Sequence, residues 1–301
     1  MRLHGPWQSW ALDERTALTI GVYDGVHRGH QAILERTGAF DTPTAVLTFA
    51  VHPVSVVSPG HAPPALMTLD DRVRFLELHG ANIVAPMPFD KVTAAMEPDS
   101  FVERIVVDKF RPVAVVIGAD FRFGARASGS AETLRTLGDR HGFEVVVVDD
   151  IVDNGVPIRS TRIRELLEAG DVANAARLLG RDHMISGKVV SGDGRGRSIG
   201  FPTANLDEIW TMVPGRGVYA VTASVDGEHF HGVANVGVRP TFDASEETVE
   251  VHLFDTNLDL YDRTMRVWFR RHLRSEMKFA GVDELVAQIS VDCEHARRVL
   301  E

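Results

Sequence analysis

Up to about residue 150 the chain alternates short, almost uniformly apolar runs with stretches whose apolar positions recur every three or four residues. Leu18 to Val22, Thr44 to Phe49, Asn82 to Ala85, Val113 to Ile117 and Glu144 to Val148 have the length and β-branched content of buried strands. Segments near Gly29–Thr37, Asp70–His79, Pro98–Phe110 and Ala131–Gly142 predict the helices between them. The clearest is Asp70–His79, where Val73, Leu76 and His79 share one stripe and Gly80 stands where a C-cap belongs. Strands that alternate with helices imply βαβ units and a doubly wound, Rossmann-like parallel sheet of the α/β class. Such a sheet binds its ligands at the carboxyl ends of its strands.

A helical stretch from Ile163 to Leu179, ending at Gly180, closes this pattern. From Ser186 the chain reads as short strands and tight turns. Tyr219–Val225 and His229–Val236 flank Asp226-Gly227, a dipeptide suited to a type I′ hairpin turn. Thr248–Phe254 and Arg266–Phe269 alternate like half-buried strands. Asp283 then opens an amphipathic helix with Leu285, Val286, Ile289, Ala296 and Leu300 towards a core. A small antiparallel β-barrel with a C-terminal helix is expected, and with it two domains, 1–180 and 181–301.

Composition narrows the partners more than the fold. The 301 residues carry a formal charge of −10, divided as −5 in each half, which leaves no basic face for nucleic acid or an anionic membrane. The longest apolar runs, such as Pro112 to Gly118, fall far short of the ~20 residues that span a bilayer. Cys293 is the single cysteine, so intrachain disulfides and thiolate zinc clusters are excluded. With no secretory leader expected, the reading is a soluble, cytoplasmic protein with small-molecule partners. A homo-oligomer stays open.

Several motifs carry candidate chemistry. The first strand runs into Gly21-Val22-Tyr23-Asp24-Gly25-Val26-His27-Arg28-Gly29-His30, where a strand hands over to a helix. Free N–H groups and the helix dipole favour a polyphosphate there, with His27 and His30 as donors and Gly25 and Gly29 allowing close backbone approach. A turn with two solvated histidines and a metal pair completed by Asp24 are the competing readings. Ser160 or Thr161 suits an N-cap, and Arg162 and Arg164 follow in the first turn. Cations at a helix start oppose its dipole, and a docked anion reverses that sign. His52, after the second strand, and Asp120 and Phe121, after the fourth, lie at the expected ligand edge.

In the second half, Gly192-Asp193-Gly194-Arg195-Gly196-Arg197-Ser198-Ile199-Gly200 fails the Walker pattern and leads through Phe201-Pro202 into extended chain. Gly192, Gly194, Arg197 and Gly200 suit a phosphate nest, or simply a hairpin loop. Thr203 and Asn205, two apart, face the same way in a strand and offer neutral oxygens that suit Mg²⁺. Glu250 shares a strand face with His252, either as a general base or as an ordinary polar position.

Together these residues resemble the prokaryotic bifunctional riboflavin kinase/FAD synthetase family. The resemblance rests on His27–His30, Ser160–Arg164, Gly200–Asn205, Asn235–Phe242, and Glu250 with Asp259-Leu260-Tyr261, and covers nearly the whole chain. It implies ATP-dependent phosphorylation of riboflavin to FMN in the second domain, with Thr203 and Asn205 holding Mg²⁺ and Glu250 activating the hydroxyl. It further implies FMN adenylylation to FAD in the first, with His27 and His30 stabilising charge and Ser160, Thr161 and Arg164 gripping the triphosphate. Four positions depart from the family pattern: Tyr23 for Phe, Val51 for Pro, Arg159 for Ser and Asp262 for Gly. The other classes weighed are a non-catalytic flavin or nucleotide sensor, a kinase alone, and a flavin oxidoreductase, the last disfavoured by the lack of a Rossmann glycine fingerprint.

Overall fold

The computed structural model describes every residue except Asp193 and Thr241–Ala244, so Asp193 and the Thr241-Phe242 end of the fourth motif lie outside the described residues. The chain divides into two compact units, Met1–Arg159 and Ser160–Glu301.

In the first unit β1 (Thr16–Ile20), α1 (Arg28–Thr37), β2 (Thr44–Phe49), α2 (Pro53–Val57), α3 (Leu69–Leu78), β3 (Ile83–Met87) and α4 (Lys91–Ala94) follow in order. A helix then runs through α5 (Pro98–Phe101), a π-helical stretch and α6 (Asp108–Phe110) into β4 (Pro112–Gly118), α7 (Ala131–His141) and β5 (Glu144–Val148). The five strands pair in parallel in the order β3-β2-β1-β4-β5, the doubly wound sheet that the alternating pattern predicts. Strand alternation feeds both faces. Ala45 and Leu47 pack with Phe101, Ile105 and Leu134 on one side, while Val46 packs with Leu34, Val73 and Leu76 on the other. Strand order reverses between β1 and β4, which sets a crevice at their carboxyl ends. A short hairpin, β6 (Val152–Asp153) and β7 (Val156–Pro157), turns through Asn154 and Gly155, both at positive φ.

The second unit begins with two helices rather than one. α8 (Ser160–Glu168) and α9 (Val172–Leu179) are broken at Gly170, whose φ is +76°. A side chain there would meet the Tyr219 hydroxyl at 2.9 Å. Beyond Gly180, a left-handed C-cap as expected, come β8 (His183–Val190), α10 (Arg195–Ser198), β9 (Ala204–Asp207) and β10 (Gly217–Val225). β11 (Glu228–Pro240), β12 (Ser245–Leu253), β13 (Thr264–Arg274) and α11 (Val282–Leu300) complete the unit. Among the described residues six strands close an antiparallel barrel in the order β10-β11-β12-β9-β8-β13. Asp226 and Gly227, at φ 50° and 87°, make the hairpin turn that their dipeptide predicts. α11 is tied to the end of β13 by the bidentate Arg274–Asp292 pair, with Ala296 buried beneath it.

Candidate active sites

The β1–α1 loop is built around backbone that few side chains tolerate. Tyr23, Gly25 and Val26 have φ of 54°, 84° and 39°, and non-glycine residues held there cost about 1–3 kcal/mol each. Tyr23 is fully buried, and its hydroxyl donates to Thr19 Oγ1 at 2.5 Å, because the Thr19 hydroxyl donates in turn to the Val116 carbonyl at 2.7 Å. The loop delivers His27 to the N-cap of α1, where its Nδ1 accepts the His30 N–H at 3.3 Å. An accepting Nδ1 assigns the ring proton to Nε2. The two imidazoles stack with centroids 3.6 Å apart, and the Tyr23 ring lies 4.9 Å from that of His30. A Cβ on Gly29 would press within 3.2 Å of the His27 ring, so glycine here leaves the stacked imidazole its room.

His52 caps α2 through Nδ1, accepting the Val54 N–H at 3.3 Å. Asp120 and Phe121 follow β4, with Phe121 stacked on Phe123 at 5.6 Å. The sheet therefore brings His27, His30, His52, Asp120 and Phe121 to the carboxyl edge of β1, β2 and β4. A metal pair completed by Asp24 does not form. Both Asp24 oxygens accept the Leu66 N–H, at 3.0 and 3.1 Å, and among the described residues no His/Cys/Asp/Glu group is placed to hold a metal ion.

α8 begins at Ser160, with Thr161 exposed beside it and no acid in the first turn. Arg162 and Arg164 stand in the opening turns of α8, where a cation opposes the helix dipole.

In the barrel unit the glycine-rich stretch holds one helical turn, α10, between Gly194 (φ 69°) and Gly200 (φ 89°), and then leads through Phe201-Pro202 into β9 as expected. Asn205 stands opposite Glu250 across β9 and β12, and Glu250 stands opposite Asn235 across β12 and β11. Thr203 Oγ1 donates to Glu250 Oε2 at 3.4 Å. Val249, Val251 and Leu253 take the core face, as the alternation predicts. Gly192 lies so close to Asn205 that a Cβ would collide with its amide, and one on Gly196 would fall 3.3 Å from Thr203 Oγ1. Beside Thr203 opens a pocket of ≈ 200 Å³, lined among others by Arg197, Pro202, Val251, Leu258 and Tyr261. Sequence reasoning missed Asn235 as a site residue, although it stands directly opposite Glu250. Cys293 is half-buried on α11, and burial pushes its thiol up to about 11, which leaves it no nucleophile.

Comparison with known proteins assigns the two halves separately. The family models for FAD synthetase and riboflavin kinase match residues 10–162 and 179–300. A bifunctional riboflavin kinase/FMN adenylyltransferase of Escherichia coli (strain K12) is 39% identical over 289 residues, covering 94% of this chain and 92% of that protein. The chain belongs to the bifunctional riboflavin kinase/FMN adenylyltransferase family. A relative of the same name from Bacillus subtilis (strain 168) is 35% identical over 94% of this chain and 92% of its own length. A crystal structure from Streptococcus pneumoniae, named a macrolide-efflux protein, superposes with a TM-score of 0.91 at 30% identity, covering 99% of this chain and 98% of that one. No described helix here is long and apolar enough to cross a membrane.

Three of the family departures acquire a physical account. Tyr23 adds a hydroxyl to a buried ring and satisfies it on Thr19. Asp262 occupies a left-handed position (φ 61°), where glycine costs nothing, and ion-pairs with Lys188 at 2.7 Å. Arg159 bridges Asp120 at 2.5 Å and Asp150 at 2.7 Å, joining the loops after β4 and β5. Val51 is exposed, and nothing in the structure explains its replacement of proline.

Proposed function

We propose that this chain phosphorylates riboflavin to FMN in its barrel half and adenylylates FMN to FAD in its sheet half, with ATP as co-substrate in both. The catalytic halves are taken as 1–180, with α8 and α9 as a connecting segment, and 181–301. The observation that carries the reading is that each half matches its own family model and holds its own cluster of polar groups.

In the kinase reaction Glu250 accepts the 5′-hydroxyl proton as the riboflavin oxygen bonds to the γ-phosphorus and ADP leaves. Thr203 and Asn205 are the proposed holders of Mg²⁺. The donor set fits, since hydroxyl and amide oxygens are hard ligands beside a carboxylate, and Gly192 leaves the Asn205 amide its room. When bound, the ion supplies neutralisation of phosphate charge. Gly192, Gly194, Arg197 and Gly200 line the approach to the phosphates.

In the second reaction an FMN phosphate oxygen attacks the α-phosphorus of ATP and pyrophosphate leaves. His27 and His30 stabilise the developing charge, with Gly25 and Gly29 giving backbone access, while Ser160, Thr161 and Arg164 hold the triphosphate. His52, Asp120 and Phe121 are the proposed flavin contacts. No covalent enzyme intermediate is required, only positioning and electrostatics. The proposed setting is the cytoplasm.

The purified chain, incubated with riboflavin and MgATP and followed by chromatography, is expected to yield FMN and then FAD. FMN alone would reduce the reading to a kinase. Binding of flavin without either product would make the chain a sensor.

A further inference from the structure

α3 carries an arginine, Arg72, on the same face as Val73 and Leu76, and its side chain is buried. Its Nη1 donates to the Val22 carbonyl at 2.8 Å and to the Phe49 carbonyl at 2.8 Å, and lies 3.3 Å from Thr48 Oγ1. Thr48 Oγ1 itself donates to the Val22 carbonyl at 3.0 Å. Val22 immediately precedes the left-handed Tyr23–Val26 segment that delivers His27 and His30, and Phe49 ends β2, three residues before His52. One guanidinium thus clasps the two loops that carry the imidazoles of the sheet half.

Burial weighs against its charge, and the Asp24 carboxylate, inside the same loop, is the counter-charge that supports it. Asp24 is fixed from the other side by the Leu66 N–H. Arg72 Nε is buried with no hydrogen-bond partner, so saturation of the guanidinium is not what holds it in place. A buried ion is a poor device for stability alone, since an apolar side chain of similar volume often serves as well. What only a donor can do here is fix two carbonyls at the ends of two adjacent strands.

We propose that Arg72 is a positioning residue for adenylyl transfer, holding the β1–α1 and β2–α2 loops in the register that aims His27 and His30. The inference rests on the reading of the sheet half as an FMN adenylyltransferase. Misplacement of catalytic groups by about 1 Å costs rates on the order of 10²-fold.

The test uses the full chain with Arg72→Met, which keeps a linear side chain without donors, and Arg72→Lys, which restores a charged donor. The Met variant is expected to lower kcat for FAD formation by about 10²-fold with KM for ATP and FMN within about threefold, while riboflavin phosphorylation stays within about twofold. Lys is expected to recover at least about tenfold of the loss. A folded Met variant that forms FAD within about threefold of the parent overturns the proposal, as does a Lys variant no better than Met. The imidazole NMR resonances of His27 and His30, assigned with single alanine variants, give a readout independent of turnover. They are expected to shift in the folded Met variant, and unchanged resonances would also overturn the proposal. A parent chain that makes no FAD would defeat the activity reading, and the resonances would still decide the role of Arg72. If Met at this position prevents folding, the Lys variant alone decides, with depressed kcat and shifted resonances expected and parental values contrary.

Discussion

Asn205 and Glu250 face each other across β9 and β12, and the hydroxyl of Thr203 reaches the same carboxylate at 3.4 Å. A base and an amide are thereby held on paired strands, with a hydroxyl from the residue just before β9, and Thr203 also lines the neighbouring pocket. If Glu250 takes the riboflavin proton, Glu250→Ala should lower FMN formation by 10²-fold or more, the usual scale of general-base loss being about 10²–10⁴. FAD formation from added FMN should persist. His30→Ala should show the reverse pattern. Equal loss of both activities in either folded variant would refute the division of labour.

Gly192 offers a sharper test, because it touches no substrate in the proposed chemistry except through its backbone. A Cβ there collides with the Asn205 amide, so Gly192→Ala should push that side chain out of line with Glu250. The expected result is a fall in riboflavin phosphorylation of about tenfold or more, with a raised requirement for Mg²⁺ and FAD formation unaffected. Gly194→Ala serves as the comparison, since open space surrounds its Cβ and only its positive φ is penalised. A Gly192→Ala chain that phosphorylates riboflavin at the parental rate would remove Asn205 from the proposed ligand set.

Much of this was legible from pattern, and the failures have a common cause. The strands of the sheet show because they are buried on both faces and read as unbroken apolar runs, and Asp226-Gly227 shows because its turn chemistry is local. The break between α8 and α9 does not show, because Leu166, Leu167 and Val172 keep the apolar spacing across it, and the need for Gly170 comes from a distant Tyr219 hydroxyl. The single turn of α10 is too short and glycine-rich to announce itself. Asp24 looks like a ligand beside two histidines until the Leu66 amide, forty-two residues on, claims it. Arg72 is hidden for the same reason. Local chemistry is written along the chain, whereas a clasp between strand ends exists only after they have met.

Tyr23 tests how a departure from the family's usual phenylalanine is absorbed. Removing its hydroxyl deletes the bond to Thr19 Oγ1, while the Thr19 hydroxyl keeps its bond to the Val116 carbonyl, so no buried donor is orphaned. Tyr23→Phe is therefore expected to cost about 1 kcal/mol in urea unfolding, the net worth of one buried hydrogen bond, and to leave FAD formation within about twofold. A loss above about 3 kcal/mol would mean that the hydroxyl holds more of the loop than this pair accounts for.

His183, on β8, gives the barrel a pH dependence whose sign is fixed by its burial. Its Nε2 donates to the Met212 carbonyl at 2.7 Å, and burial lowers its pKa from 6.5 to about 4. Between those values the unfolded chain binds a proton that the folded one refuses, so stability rises with pH across this window and is fully present above about 6.5. The whole contribution is on the order of 3 kcal/mol, lost as pH falls from 6.5 towards 4. His272 shifts in the same direction and adds to the trend. Urea unfolding of the parent and of His183→Gln at pH 7.5, 6.5, 5.5 and 4.5 isolates the His183 share, because other titrations cancel in the difference. The parent should lose stability faster on acidification by about 1 kcal/mol per pH unit below 6.5, and a difference that stays flat with pH would show that His183 charges freely in the fold.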